Sequence, residues 1–176
     1  GLSWVGIIMF SGSFRINDIV NYQAGPIWNW FVFALPLPFV AFVVYFIAAC
    51  AEVSRTPFDL PEGETELVAG FHTEYSSMKF ALLQMSEYVN MITVSVLAAN
   101  LFFGGWHSGI PALDGIAGLG FVVFVSKVFF FLFVFVWLRG TVPRFRYDQL
   151  MHFGWKVLIP VATVNVVATA AWLAYR

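Results

Sequence analysis

Four stretches, Ile27–Ala51, Met78–Phe103, Ile116–Leu138 and Lys156–Tyr175, each run for about 20 to 26 residues with almost no charge. A helix rises roughly 1.5 Å per residue and a bilayer's hydrocarbon core is about 30 Å thick, so each stretch is long enough to cross it. Lipid offers the backbone no hydrogen bonds, so a spanning segment must satisfy its own, as a helix does. The alternating pattern of a membrane β-barrel is absent. The expectation is an all-α integral membrane protein, a multi-span transmembrane helix bundle forming one domain over residues 1–176. Its opening run "GLSWVGIIMF" carries no basic flank or small-residue cleavage pattern and reads as the tail of one further span rather than a signal peptide. The charged fraction agrees: 11%, against about 25% in soluble domains. Pro36 and Pro38 each lack an amide donor, so the first full span should kink or open there.

If the spans alternate in direction, loops 52–77 and 139–155 share one side. Arg55, Lys79, Arg139, Arg144, Arg146 and Lys156 lie on or beside those loops, against Arg15 and Arg176 opposite. The positive-inside bias then turns that side to the cytoplasm or its organellar equivalent.

The same side holds an acidic island. Glu52 and "PFDLPEGETELVAGFHTEY", residues 57–75, supply six of the chain's 10 acidic residues: Glu52, Asp59, Glu62, Glu64, Glu66 and Glu74. On a helix Glu62 and Glu66 would share a face, where two ionised carboxylates repel. Crowding and burial both favour holding a proton, so such a set can take up and release protons near working pH. A solvated loop is the plain alternative. Against it, Phe58, Leu60, Leu67, Val68, Phe71 and Tyr75 interleave with the acids as in a packed segment.

Two ionisable residues lie inside spans, Glu87 in "LLQMSEYVNMI" and Lys127 in "FVVFVSKVFFF". Each costs about 2.5–3.5 kcal/mol near the bilayer centre, so such residues usually face a bundle interior and mark an ion or proton route. Counted from the acidic side, their depths agree to roughly one helical turn. They are expected to share one buried polar network, a structural ion pair between two helices being the alternative.

One cysteine, Cys50, forms no internal disulfide, and His72, His107 and His152 show no metal-ligand spacing with it. There is no basic nucleic-acid patch, nucleophile paired with a base, phosphate-cradling glycine loop or haem or iron–sulfur ligand set. Any electrons are handled by another subunit.

The run "AEVSRTPFDLPEGETELVAGFHTEYSSMKFALLQMSEYVNMI", then "LFFGGW" and "SKVFFFLFVFVWLRGTVPRFRYDQLMHFGWK", closely resembles the H-type membrane subunits of proton-pumping NADH:quinone oxidoreductase, bacterial complex I, and their mitochondrial equivalent. The likeness covers the chain from about Pro36 onward and fits the C-terminal half of a subunit about twice as long. It implies a place where the peripheral redox arm meets the membrane arm, helping to form a quinone chamber and passing the energy of quinone reduction to proton pumping. Arg55, Phe58 and Asp59 match its chamber and junction loop. Glu52, Glu62, Glu64, Glu66, Glu74, Glu87 and Lys127 match its protonatable series. Arg144, Arg146, Tyr147 and Asp148 match a docking or helix-end anchor. Quinone (ubiquinone in many respiratory chains) would be substrate, with no cofactor or metal on this chain. FMN, NADH and iron–sulfur clusters would sit in partner subunits, peripheral and membrane. The setting implied is the bacterial cell (inner) membrane, or the mitochondrial inner membrane. A related subunit of a membrane-bound hydrogenase or a ferredoxin- or F420-dependent complex is the near alternative. A stand-alone ion-coupled transporter using the broken helix with Glu87 and Lys127, or an assembly scaffold, is the distant one.

Overall fold

The computed structural model describes residues 1–53, 58, 78–110, 118–143 and 146–175. Regular structure among them is entirely helical: α1 (Leu2–Ser11), α2 (Ile16–Tyr22), a 3-10 turn (Ile27–Asn29), α3 (Phe31–Ala34), α4 (Pro36–Glu52), α5 (Met78–Phe102), α6 (Leu119–Thr141), α7 (Tyr147–Phe153), a π-helical turn (Gly154–Leu158) and α8 (Ile159–Tyr175). Three helical stretches are long and apolar enough to cross a membrane: Met78–Phe102, Leu119–Thr141 and Asp148–Tyr175, the last running through α7, the π turn and α8.

The first expected full span, Ile27–Ala51, is not one helix. Leu35 is extended (φ −148°, ψ 153°) and α4 starts at Pro36. A residue before proline is pushed out of the helical region, whereas proline in the first helical position loses only an amide with no intrahelical partner. Pro38 falls in the same first turn and removes no helical bond, so the break lies before both prolines.

Aromatic rings fix how the helices run. The Tyr45 hydroxyl donates to the Val94 carbonyl (2.9 Å), while Phe42 meets Phe102 and Phe103 at 5.2 and 5.3 Å between ring centres, so α5 is antiparallel to α4. Phe42 also meets Phe131, and Phe46 meets Phe135 at 5.4 Å, so α6 is parallel to α4. Phe103 and Phe131 close the α5–α6 side at 5.1 Å, edge to face, a geometry aromatic quadrupoles favour. The α1–α8 seam uses small and polar residues instead: Ser3, Gly6, Asn165 and Thr169 are buried, and a Cβ on Gly6 would stand 3.7 Å from Thr169 Oγ1. Close approach through small residues is the usual way helices associate in lipid, which is as apolar as leucine. Elsewhere the outer surface is greasy: Phe121, Phe129, Phe133 and Trp137 on α6 are exposed, as a lipid solvent permits.

The end of α4 and the starts of α5 and α8 therefore lie at one end of the bundle, hereafter the acid end. The end of α5 and the start of α6 lie at the far end.

Candidate functional site

At the acid end, a cleft of about 420 Å³ is lined by Glu52 and Val53 at the end of α4 and by Ser86, Glu87, Val89, Asn90 and Thr93 of α5. Ser86, Asn90 and Thr93 recur at helical spacing, so one face of α5 carries a hydroxyl, an amide and a hydroxyl beside the half-buried Glu87. Thr93 Oγ1 donates back to the Val89 carbonyl (2.9 Å) and keeps its lone pairs for other donors. Glu52, the last residue of α4, borders the same cleft from across. Two carboxylates with hydroxyl and amide groups between them can hold water and pass a proton along it, the chemistry such residues provide inside membranes.

The other side of the α4 terminus is apolar. Val44, Ala48 and Ala51 border a groove of about 660 Å³ that Phe58 and the α7–α8 region complete. Adjacent residues Ala51 and Glu52 thus line separate compartments, because successive helical residues point roughly 100° apart.

The far end is built differently. Lys127 Nζ donates to the carbonyls of Phe103 (2.6 Å), Gly105 (2.9 Å) and His107 (2.6 Å) and lies 4.2 Å from the centre of a Trp30 ring. A cation at a helix C-terminus answers both the unbonded carbonyls and the negative pole of the helix dipole. Gln23, fully buried, does the rest. Its amide nitrogen donates to the Ile19, Asn100 and Leu101 carbonyls (3.3, 3.3 and 3.2 Å), and its oxygen accepts from the Phe31 and Gly104 amides (3.3 and 3.1 Å). Gly104 and Gly105 of the "LFFGGW" motif have φ of 67° and 51°, and a Cβ on Gly104 would sit 2.8 Å from Trp30 Nε1. Only glycine takes both the left-handed turn and the contact with the indole.

This corrects the expected Glu87–Lys127 network. Lys127 reaches Phe103, just past the end of α5, roughly 22 Å of helix from Glu87. Each Cα–Cβ bond leans towards its own helix's N-terminus, so on antiparallel helices the two side chains diverge towards opposite ends.

Of the remaining expected residues, Phe58 is buried at the acid end. Arg146 precedes α7, its amide donating to Gln149 Oε1 (3.4 Å), Tyr147 opens α7 and Asp148 stands in its first turn. An acid in a first turn suits the positive helix pole. Arg55, Asp59, Glu62, Glu64, Glu66, Glu74 and Arg144 lie outside the described residues. Gln23 was missed: in "NYQAGP" it reads as one more polar loop residue. The polar face Ser86–Asn90–Thr93 was also missed, although its helical spacing around Glu87 could have shown it.

Apolar helices that pair through aromatic and small-residue seams, with carboxylates in a cleft at one end, define a polytopic helical membrane protein. The profile of the NADH dehydrogenase family matches residues 1–170, and the chain belongs to that family. It is 50% identical over 181 aligned positions to an H-type NADH-quinone oxidoreductase subunit of Koribacter versatilis (strain Ellin345), covering 100% of this chain and 50% of that protein. The H-type NADH-quinone oxidoreductase subunits of Frankia casuarinae (49% identical, 100% of this chain and 38% of theirs) and Deinococcus radiodurans (48%, 99% and 44%) are similar. The chain thus spans half the length, or less, of these curated relatives.

Proposed function

We propose that this chain is part of a membrane subunit of a proton-translocating NADH:quinone oxidoreductase, helping to form the quinone chamber and relaying protons through its acidic residues. The observation that carries the reading is the two-sided end of α4, where an apolar groove suited to a hydrocarbon tail adjoins a carboxylate-lined cleft across one peptide unit. Reduction of a quinone to a quinol takes two electrons and two protons. The electrons would come from an iron–sulfur cluster in a partner subunit, fed from NADH through FMN. This chain's part is the protons. Glu87 and Glu52, with Ser86, Asn90 and Thr93 as water-holding neighbours, form the membrane side of the relay, and Glu62, Glu64, Glu66 and Glu74 its loop side. Arg55, Phe58 and Asp59 border the chamber. Arg144, Arg146, Tyr147 and Asp148 anchor the start of α7 towards the peripheral arm. Lys127 closes the far end of the bundle, an anchoring role the three carbonyls favour over transfer. The basic loop at the acid end faces the cytoplasm in a bacterial inner membrane, or the equivalent side of the mitochondrial inner membrane.

The test is Glu87→Gln in the assembled complex, with quinone reductase turnover and proton pumping measured together. The side chain keeps its shape and loses its titration. Pumping per quinone reduced should fall about tenfold or more, the scale on which a positioned proton carrier acts. Unchanged turnover and pumping would remove Glu87 from the relay.

A further inference from the structure

Beyond Thr93, which borders the acid cleft, α5 carries two more polar side chains, Ser95 and Asn100, and buries both. From Thr93 to Asn100 is about 10 Å of helix. Ser95 Oγ donates to the Met91 carbonyl (2.8 Å), the Tyr45 hydroxyl donates to the adjacent Val94 carbonyl (2.9 Å), and a Cβ on Gly105 would stand 2.9 Å from Asn100 Oδ1. A line of buried polar groups thus leads from the cleft towards the far end, and such groups are where internal water binds. There Gln23 and Lys127 between them donate to the carbonyls of Asn100, Leu101, Phe103, Gly105 and His107, and a Trp30 ring lies 4.2 Å from the ammonium.

Proton hopping needs each member of a chain to accept one proton as it gives up another. An ammonium and an amide nitrogen only donate. The Gln23 oxygen could accept, but it already takes the amides of Phe31 and Gly104. We propose that Gln23 and Lys127 form a proton seal, which ends the polar line of α5 in groups that cannot pass a proton on. The inference rests on the proton reading of the acid cleft above, because a cleft that holds water and protons at one end is what makes a seal at the other necessary. The helix-end carbonyls are filled by the protein's own donors, so water from the far side finds no acceptor through which to reach Asn100 and Ser95.

The experiment uses the full-length subunit in its assembled complex, sealed into phospholipid vesicles that trap a pH-sensitive dye. A pH step applied without NADH or quinone then reports the passive proton leak. Lys127→Met and Gln23→Leu each strand buried carbonyls, and since a stranded acceptor favours a bound water by about tenfold or more, the leak should rise by about that factor in both. Phe131→Leu loosens the packing of the same end against Phe42 and Phe103 without removing a donor, and should stay as tight as the parent. In the parent, the Gly104 and Gly105 amides, bonded to Gln23 Oε1 (3.1 Å) and the Ala99 carbonyl (2.9 Å), should resist hydrogen–deuterium exchange. That measurement needs no variant to assemble, and exchange at the rate of an open peptide would overturn the seal. So would a leak unchanged in both donor variants, or one that rises equally in Phe131→Leu and so marks general loosening. Leak and pumping are separate readouts. A raised leak in Lys127→Met beside unchanged pumping in Glu87→Gln would uphold the seal and remove Glu87 from the relay, whereas an unchanged leak beside lost pumping would overturn the seal and leave the relay standing.

Discussion

The two ends of α5 are opposite solutions to the problem of polar groups in a membrane. At the far end, the carbonyls of Asn100, Leu101 and Phe103 accept side-chain donors from Gln23 and Lys127, while that of Ala99 accepts the backbone amides of Phe103 and Gly105. Every buried position of α5 falls from Met91 onward. At the acid end, Ser86, Glu87, Asn90 and Thr93 of α5 border a polar cleft with Glu52 across from them. Hydrogen bonds from a buried amide and a lysine fix the far end. The cleft at the acid end has room for water beside its carboxylates.

That contrast is most easily broken at Lys127. Replacing it with methionine keeps the stem and strands three carbonyls, and bonds from a charged donor are worth about 1.5–3 kcal/mol each, so a loss of about 4.5 kcal/mol or more is expected. Thermal unfolding of the full-length chain in lipid nanodiscs measures it, and a loss within experimental error would show that the far end is not the clamp. Gln23→Leu is expected to cost about 3 kcal/mol in the same assay, because it strands donors and acceptors alike. Gln23→Glu should rescue only part, since a carboxyl kept neutral by burial offers one O–H donor where the amide offers two N–H donors. Gly104→Ala should cost about 2 kcal/mol through positive φ and the Trp30 contact together. Gly118→Ala sharpens that comparison: its φ is 88° but its Cβ would meet no described atom within 4 Å, so about 1 kcal/mol is expected from backbone strain. The smallest stability effect belongs to the acid end. Glu87→Gln should move unfolding by no more than about 0.5 kcal/mol while impairing pumping. A destabilisation like that of Lys127→Met would mean that both ends are clamped alike.

Much of the architecture was legible because lipid narrows the choices. Span lengths in Met78–Phe103 and Ile116–Leu138 gave helices within a few residues of those observed, and Pro36 marked the break in Ile27–Ala51 to within one residue. The hidden part concerns side-chain direction. Depth counted along the chain locates a Cα, whereas a lysine stem carries its charge several ångströms towards wherever donors are wanted. That is why Glu87 and Lys127 read as neighbours and stand apart. Gln23 was hidden for a different reason: its role exists only once Ile19, Phe31 and the Asn100–Gly104 segment have been brought together from distant parts of the chain. The burial of Phe58 against α4 and the α7–α8 region follows from packing of distant parts of the chain and not from its local sequence.

With seventeen residues, α4 measures about 26 Å against about 38 Å for α5, short of a hydrocarbon core of roughly 30 Å. The four residues of α3 lie on the far side of Leu35, so this span crosses as two helical pieces rather than one rigid rod.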